Sequence, residues 1–385
     1  MVNCYRRPAM PAIDGATFEN DDCQFEYDNL EQLPPEYSNL DEGDRTDRIE
    51  KARAELGDDV VILGHNYQRR EIIEHADFIG DSYQLSKKAA DTDAEYVIFG
   101  GVRFMAESAD IITDDDQTVI LPNMEASCPM AGLAETRQAK AAWETISAET
   151  DGDVIPITYM NSYAALKAFS ADHGGLVCTS SNADRAFEYA FDKGDTVLFL
   201  PDEHLGANTA HSLGLEEETV TWNPWDTDAK SISKAVDNDV ILWNGYCQVH
   251  ERFRVEHVEQ ARENYPDANV IVHPECRREV VAAADIAGST ADIIRAVEEA
   301  DPGETWVIGT EIHLTNHLQR WHPNVTVVPL GGDAGTDCNA MGQIDPNYLT
   351  WVIEELAAGY ERNVIEVSPD ERELAKLALD RMLEI

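Results

Sequence analysis

Three cysteines of this chain stand at equivalent places in a repeated pattern, and thiols arranged in this way can bind a metal centre. Cys128, Cys247 and Cys338 each follow a β-branched run, in TVILPNMEASC, DVILWNGYC and VTVVPLGGDAGTDC. Soft thiolate ligands from distant sequence positions suit an iron–sulfur cluster. Because such a cluster usually takes four cysteines, three would leave one iron open as a Lewis acid that promotes loss of water. Zinc bound by three cysteines and a histidine remains an alternative.

The other four cysteines have no counterparts in all three copies of the pattern. Cys4 and Cys23 lie in the N-terminal tail, and Cys178 and Cys276 lie elsewhere in the repeat. We interpret them as small hydrophobic residues, which is the ordinary role of a single buried cysteine. The odd total of seven, without close pairs, is unlike a secreted disulfide framework and favours a reducing cytoplasm.

The elements that must position the three cysteines occur three times along the chain. Each copy begins with a strand-like run that ends in polar residues: VVILGHNYQ, VIPITYMNS and NVIVHPEC. His65, Tyr159 and His273 are equivalent in these runs. The cysteine comes 63 residues after His65, 88 after Tyr159 and 65 after His273. The middle copy therefore carries an insertion, which we place near GLEEETVTWNPWDTDAKS.

Continuous apolar strands that alternate with helices predict parallel sheets covered on both faces. We therefore expect an α/β protein of three homologous αβα domains, with short parallel sheets arranged around a pseudo-threefold axis. The predicted divisions are an irregular or disordered tail over 1–45 and repeats over 46–140, 141–255 and 256–385, the last with the C-terminal helices. Alternating α/β chains always look partly self-similar, but four features recurring in one order favour a true repeat.

Side chains that can bind anions or move protons follow the strands of each copy, where parallel sheets collect ligands. Hydroxyl residues precede or open a helix in every copy, and such turns either cap the helix or point backbone N–H groups at an anion. These residues are Ser82, Ser180, Ser181, Ser289 and Thr290. Residues able to exchange protons end the leading strands. They are His65, Tyr67, Tyr159, His273 and Glu275.

The charge of the chain excludes several classes of protein. With 74 acidic and 29 basic residues, the formal net charge is −45. Such a chain does not bind a nucleic-acid backbone or an anionic membrane by general attraction. Its acids are spread along the sequence, which suits a surface adapted to high salt. No apolar run approaches the ~18–20 residues that span a bilayer, and the N-terminus lacks the apolar part of a signal peptide, so we expect a cytoplasmic protein.

Seven short strings of this sequence resemble the quinolinate synthase family. They are HNYQ at 65–68, GDSYQLS at 80–86, GVRFMAESA at 101–109, YMNS at 159–162, CTSSNA at 178–183, HPEC at 273–276 and GST at 288–290. The match runs in order from about residue 50 to the C-terminus and leaves the tail uncovered. The resemblance implies three similar α/β domains in a triangle around a 4Fe–4S cluster, with one cysteine from each domain.

The resemblance also implies a reaction and the residues that carry it. The family condenses iminoaspartate with dihydroxyacetone phosphate to give quinolinate, phosphate and water in NAD biosynthesis. The implied cluster ligands are Cys128, Cys247 and Cys338, and the implied proton-transfer residues are Tyr67, His273 and Glu275. The implied substrate-binding residues are His65, Ser82, Tyr159, Asn161, Ser180, Ser289 and Thr290. Some members carry several cysteines near the third ligand, whereas this chain has only Cys338 there.

Two other functions remain open at this point. An iron–sulfur hydro-lyase acting on another hydroxy acid would share the open iron but would need no phosphate site. A cluster-based sensor would need a partner surface, and the net charge argues against DNA as that partner. For the synthase, we expect small-molecule substrates and a functional link to an aspartate-oxidising enzyme.

Anionic substrates and a net charge of −45 are in conflict. A phosphate and two carboxylates must enter the site, although the chain as a whole repels anions. We therefore expect the acids on the outer surface and a crevice nearly free of them, apart from Glu275 and Asp81. Arg103 and Lys167 are the cations that we expect to assist helix N-termini and hydroxyls in this crevice.

Overall fold

The computed structural model describes residues 32–226, 228–332 and 336–385. Most of the predicted tail lies outside these residues, as do Cys4 and Cys23. The statements below concern the described residues only.

The described part of the predicted tail contains regular structure. A 3₁₀ helix covers Pro35–Tyr37, and the first α-helix, α1, covers Glu42–Leu56. This helix begins before the predicted boundary at residue 46, because the Asp41 side chain accepts a hydrogen bond from Asp44 N at 2.9 Å and so caps it.

Three separate parallel sheets form the framework of the protein, which confirms the predicted α/β class. The first contains β1 (Val60–His65), β2 (Phe78–Gly80), β3 (Tyr96–Gly100) and β4 (Thr118–Ile120). The second contains β5 (Val154–Tyr159), β6 (Leu176–Cys178), β7 (Thr196–Leu200), β8 (Thr219–Trp222) and β9 (Val240–Trp243). The third contains β10 (Asn269–Val272), β11 (Ile286–Ala287), β12 (Thr305–Gly309) and β13 (Thr326–Pro329). We call each sheet with its connecting helices a unit.

The three units share one topology. The strand orders are β2-β1-β3-β4, β6-β5-β7-β9-β8 and β11-β10-β12-β13, so the leading strand of each unit lies in the same place. The second sheet has one additional edge strand, β8. Together with helix α9 (Ala229–Val236), β8 occupies the segment where the spacing of the cysteines indicated an insertion.

Helices connect the strands and cover the sheets. Besides α1 and α9 they are α2 (Arg70–Ile73), α3 (Ser82–Ala90), α4 (Arg103–Ile112), α5 (Thr136–Glu149), α6 (Ala164–Asp172), α7 (Ala183–Phe191), α8 (Glu203–Ser212), α10 (Val255–Asn264), α11 (Arg278–Ala283), α12 (Thr290–Glu298), α13 (Ile312–Trp321), α14 (Asn339–Gly342), α15 (Pro346–Ala357) and α16 (Pro369–Glu384). Short 3₁₀ helices cover Gly57–Asp59 and His250–Arg252. Every residue of β1 and β5 is buried, as expected for strands covered on both faces. None of the described helices is long and apolar enough to cross a membrane.

The last two helices pack on the first two units. Helix α15 packs against α1, and α16 packs against α6 and β6. Between them, Ile365 N donates to Val119 O at 2.9 Å and Leu121 N donates to Asn363 O at 3.1 Å, so this segment joins the edge of β4. Sequence order assigned both helices to the third repeat, but their apolar faces are buried on the other two units. The domain boundaries themselves remain a prediction.

Candidate active site

The strand ends of the three units meet at one cavity with an empty volume of about 720 Å³, open solvent at its mouth included. Every predicted site residue except Ser289 lines it: His65, Tyr67, Ser82, Cys128, Tyr159, Asn161, Ser180, Cys247, His273, Glu275, Thr290 and Cys338. The cavity therefore brings together residues that are far apart in the sequence, as the repeat predicted. The role of each residue remains a prediction.

Ser289 is not one of the residues that line this cavity, and it caps a helix. Its hydroxyl lies 2.7 Å from Asp292 Oδ2, and its backbone N–H donates to the same oxygen at 2.9 Å. These contacts form a capping box at the start of α12. The hydroxyl is thereby occupied, and the next residue, Thr290, is the one that reaches the cavity.

The three cysteine loops are held in the same way. In each unit the first N–H of the helix after the third strand donates to the carbonyl two residues before the cysteine. The pairs are Arg103 N to Ala126 O at 2.8 Å, Glu203 N to Gly245 O at 2.7 Å, and Ile312 N to Thr336 O at 3.2 Å. This threefold equivalence explains why one cysteine from each unit reaches the same cavity.

A glycine makes the close approach of the second cysteine loop possible. A Cβ atom at Gly245 would lie 2.3 Å from Pro201 O, which is nearer than two such atoms can approach. Any larger residue would displace the loop that carries Cys247 from the loop that precedes α8.

The three thiols lie close enough to influence each other electrostatically. Burial, and secondly the Cys338 thiol, raise the pKa of Cys128 to about 12. Burial likewise raises the pKa of Cys338 to about 11 and that of Cys247 well above its ordinary value. The thiols are therefore protonated without a metal, so metal binding must release their protons. Cys178 and Cys276 are fully buried outside the cavity lining, in agreement with their interpretation as hydrophobic residues.

Two sets of possible metal ligands in the described structure differ in how closely their ligand atoms lie. Cys247, His250 and Glu275 have ligand atoms within 4.8 Å of one another, and the three cysteines do not form such a group. Tetrahedral zinc with Zn–S bonds of ~2.3 Å needs sulfur atoms ~3.8 Å apart. At least one pair of these sulfur atoms is therefore too far apart for a single ion unless the loops move.

The first and third units end their leading strands with the same turn. Tyr67 N donates to His65 Nδ1 at 3.1 Å, and Glu275 N donates to His273 Nδ1 at 3.3 Å. Because each Nδ1 accepts, each neutral ring carries its proton on Nε2. Burial lowers the pKa of both histidines to about 3, and the neighbouring His250 contributes to the shift at His273. Both imidazoles are therefore neutral donors at neutral pH.

Glu275 is at the centre of a buried hydrogen-bond network. Tyr159 Oη–H donates to Glu275 Oε1 at 2.5 Å, and His250 Nδ1 lies 2.6 Å from Oε2. Burial alone disfavours the ionised carboxylate, but attraction to His250 and these hydrogen bonds outweigh it, so the pKa lies well below its usual range. Glu275 is therefore an ionised carboxylate, although only 3% of it is exposed.

The hydrogen-bond partners of Tyr67 are neutral hydroxyl groups. Its hydroxyl lies 2.9 Å from Thr310 Oγ1 and 3.2 Å from Thr290 Oγ1. Burial and the charge of Glu275 raise its pKa well above the ordinary value, so the phenol keeps its proton. The hydrogen bonds join the first unit to the third across the cavity.

The sequence analysis missed two residues of this network, His250 and Thr310. His250 Nε2 lies 3.0 Å from Thr310 Oγ1, and the His250 ring stacks on His273 with centroids 4.4 Å apart. Neither residue has a counterpart of its own type in the other copies. The one available signal is that His250 follows Cys247 by three residues, in CQVH.

The cavity lining carries little charge. Asp81 and Glu275 are its only carboxylates among the described residues, as expected, and no lysine or arginine occurs in that lining. The expectation for Arg103 and Lys167 was wrong. Arg103 Nε donates to Glu107 Oε1 at 3.0 Å beside a second cavity. Lys167 is fully buried, its ammonium donates to Ser162 O, and burial lowers its pKa to about 7.

The fold and cavity define an α/β enzyme with its site at the meeting point of three similar units. The family model for "Quinolinate synthetase A protein" matches residues 47–384. A quinolinate synthase of Haloarcula marismortui is 73% identical over 97% of this chain and 100% of the relative. The relative from Halobacterium salinarum is 69% identical with the same coverage, and that from Acidobacterium capsulatum is 47% identical over 97% of this chain and 99% of its own length. The chain belongs to the quinolinate synthase family.

These relatives also bear on the charge. The first two come from halophilic archaea, which fits the expected adaptation of the acidic surface to high salt.

Proposed function

We propose that the chain condenses iminoaspartate with dihydroxyacetone phosphate to quinolinate, with release of phosphate and water. The observation that carries this proposal is the single cavity in which Cys128, Cys247 and Cys338 meet beside the ionised Glu275. The nearly complete coverage by relatives that are named quinolinate synthase supports the same reaction.

The three cysteines are the proposed ligands of a 4Fe–4S cluster. Their equivalent loops, electrostatic proximity and wide spacing fit such a group. When bound, the cluster supplies Lewis acidity to the cavity.

Neutral donors are proposed to bind the anionic groups of the substrates. The hydroxyls of Ser82, Ser180 and Thr290 line the cavity, as does the amide of Asn161. The Nε2–H of His65 adds a ring donor. Hydrogen bonds from such fixed donors bind anions without a lysine or an arginine. The proposed contribution of Ser289 is to cap α12 and so to present Thr290.

Glu275 is proposed to accept the protons that the condensation releases. Its carboxylate is ionised and accepts hydrogen bonds from the Tyr159 hydroxyl and from His250 Nδ1–H, so it can take up a proton released by the substrate. Tyr67 and His273 carry protons that they can donate, since both are neutral. Dehydration needs such donors at the leaving oxygen.

The chemistry of the substrate and of the thiols indicates which enzyme supplies the substrate and in which compartment the reaction takes place. Iminoaspartate is an imine that water hydrolyses, so an aspartate-oxidising enzyme must supply it nearby. Three free thiols in one cavity persist in a reducing compartment, which is consistent with the cytoplasm.

The test is anaerobic purification, followed by iron and sulfide counting and by an assay for quinolinate with both substrates. We expect a brown protein with about four iron atoms and quinolinate formation that requires dihydroxyacetone phosphate. A colourless zinc protein without sulfide would contradict the proposed cofactor. Turnover of a hydroxy acid without dihydroxyacetone phosphate would favour a hydro-lyase instead.

Single replacement of Cys128, Cys247 and Cys338 by alanine tests the ligands. We expect each variant to lose the cluster, while replacement of the buried Cys178, which lies outside the cavity, keeps it. Unchanged iron and sulfide in any one of the three variants would contradict the assignment of that cysteine.

A further inference from the structure

We propose that the cluster-free protein binds one divalent transition-metal ion between Cys247, His250 and Glu275. The ligand atoms of these three residues lie within 4.8 Å of one another, and all three residues line the central cavity. A thiolate, an imidazole and a carboxylate form a mixed donor set that suits Zn²⁺, Co²⁺ or Fe²⁺. The hard ions Mg²⁺ and Ca²⁺ prefer oxygen ligands and do not fit it.

The hydrogen bonds that Glu275 and His250 make to other residues occupy only one polar atom of each, and the remaining two atoms contact each other. Tyr159 holds Glu275 Oε1 at 2.5 Å, which leaves Oε2 for the ion. Thr310 Oγ1 holds His250 Nε2 at 3.0 Å, which leaves Nδ1. Metal-binding histidines commonly have their second ring nitrogen fixed by such an oxygen. The proposed ligands are therefore Cys247 Sγ, His250 Nδ1 and Glu275 Oε2.

A small movement completes the site. His250 Nδ1 and Glu275 Oε2 are now 2.6 Å apart and share a proton. Around a tetrahedral ion with bonds of ~2.0–2.1 Å, these atoms would lie ~3.3 Å apart. The ion takes the place of the shared proton, and the Cys247 thiol loses its own proton to solvent.

The charges of the site match a divalent ion. One thiolate, one carboxylate and one neutral imidazole sum to −2, and the described cavity lining has no lysine or arginine to neutralise this charge. Three protein ligands leave a fourth position that opens on the cavity, as in zinc sites with an exchangeable water.

This ion and the proposed cluster exclude each other, because both need Cys247. The cluster alone needs Cys128 and Cys338, and the ion alone needs His250 and Glu275. The inference depends on the proposed function only through this shared cysteine. An excess of zinc would then block cluster assembly by occupying one of its ligands.

A cobalt titration tests the single-ion site. The full chain, stripped of iron under anaerobic conditions, is titrated with Co²⁺ and followed by visible absorption. We expect the bands of tetrahedral cobalt and a thiolate-to-cobalt band that saturate at one equivalent and disappear when Zn²⁺ is added. His250→Ala should weaken Co²⁺ binding more than about 100-fold, since even changes behind the ligands cost about 10–100-fold. The matched control Cys128→Ala should keep the affinity within about twofold, because Cys128 is not a ligand of this ion.

Cluster reconstitution in the same variants should give the opposite pattern. Cys128→Ala should lose iron and sulfide, and His250→Ala should keep them. If His250→Ala does not fold by circular dichroism, Thr310→Val keeps the His250 ring and removes the support of Nε2, together with the hydrogen bond to Tyr67, and it should weaken Co²⁺ binding about 10–100-fold.

Two outcomes would overturn the inference: no saturable Co²⁺ binding, or binding lost in Cys128→Ala and kept in His250→Ala. The second would mean that the three cysteines hold the ion. A cluster that fails to form while Co²⁺ still binds would contradict the proposed cofactor and leave the single-ion site supported.

Discussion

The leading strands of the first and third units end in the same turn but carry different chemistry. In both, the backbone N–H two residues on donates to His Nδ1, at 3.1 Å for His65 and 3.3 Å for His273. The donating residue is Tyr67 in one unit and Glu275 in the other. The turn thus fixes a neutral histidine in both units, whereas the residue after it decides whether that side of the cavity offers a phenol or a carboxylate.

The hydrogen-bond partners of Tyr67 and Glu275 also differ. Tyr67 contacts the hydroxyls of Thr290 and Thr310, which carry no charge. Glu275 contacts Tyr159 and His250, which stabilise its negative charge. The first unit therefore presents a neutral phenol and the third an ionised carboxylate, although the two backbones are equivalent.

The largest expected effect comes from removing that carboxylate. Glu275→Gln keeps the shape but not the charge, and it should lower quinolinate formation by about 10²–10⁴-fold, which is the usual range for a general acid or base. Tyr67→Phe should lower the rate of quinolinate formation less, by about 100-fold, because water can replace a neutral donor in part. Initial rates at equal cluster content provide the comparison.

The informative quantity is the ratio between the rates of the Glu275→Gln and Tyr67→Phe variants. A larger loss in Tyr67→Phe than in Glu275→Gln would mean that the donor side, and not the acceptor side, limits the reaction. Phe187, which is fully buried outside the cavity lining, offers a control position. Phe187→Leu should lower the stability while the rate per cluster changes little.

The two equivalent histidines should give equal pH effects on stability. Burial lowers each pKa from 6.5 to about 3, so the unfolded chain binds more protons between these values. The stabilising contribution is therefore complete above about pH 6.5 and is lost as the pH falls towards about 3. His65→Asn and His273→Asn should each reduce the slope of unfolding free energy against pH by up to ~1.4 kcal/mol per pH unit.

Urea unfolding of the cluster-free protein between pH 4 and pH 7 measures this slope. Phe187→Leu, which removes no titratable group, serves as the control and should leave the slope unchanged. Unequal slopes for the two buried positions would contradict the equivalence of the turns.

The three units also differ in the residue that caps the helix after the third strand, and this difference is smaller. Glu311 caps α13 by accepting from His313 N at 2.7 Å, and it also accepts from Cys338 N at 3.2 Å. Asp202 caps α8, but its Oδ2 has no hydrogen-bond partner in the described structure, and burial raises its pKa well above the ordinary value. The equivalent residue of the first unit, Val102, makes no side-chain cap.

These caps should contribute unequally to stability. Glu311→Val, which installs the residue type of the first unit, should lower the unfolding free energy by about 1–2 kcal/mol through the lost cap and the lost contact with Cys338. Asp202→Asn keeps a cap and removes a poorly satisfied carboxyl group, so its cost should be below about 1 kcal/mol. Thermal or urea unfolding measures both, and equal costs would contradict the asymmetry.

The sequence was sufficient to predict the features that depend on local pattern. The three buried leading strands, their polar ends and the equivalent cysteines follow from runs such as VVILGH and from spacing. Residues at equivalent strand ends meet because parallel strands share one edge. For this reason twelve of the thirteen predicted site residues line the cavity.

The features that were missed depend on contacts between distant segments. His250 and Thr310 are joined by a hydrogen bond across 60 positions, and no residue type repeats to indicate it. The docking of α16 on the second unit likewise depends on which apolar surface remains uncovered. The prediction that Lys167 is a cavity cation is wrong because sequence alone does not show that its ammonium donates to Ser162 O.

The smallest expected effect is at Arg103. Its replacement tests whether the cavity binds anionic substrates without a cation. The Arg103 side chain is 29% exposed and pairs with Glu107 beside the second cavity, and Arg103 is not one of the residues that line the active site. Partly exposed ion pairs contribute ~0–1 kcal/mol, so Arg103→Ala should change the stability slightly and the KM for dihydroxyacetone phosphate by less than about twofold. Ser82→Ala, which removes a hydroxyl from the lining, should raise the same KM by about tenfold, the equivalent of one hydrogen bond. If Arg103→Ala gave the larger increase, anion binding would depend on charge acting through the protein, and the neutral donors of the lining would not be sufficient for it.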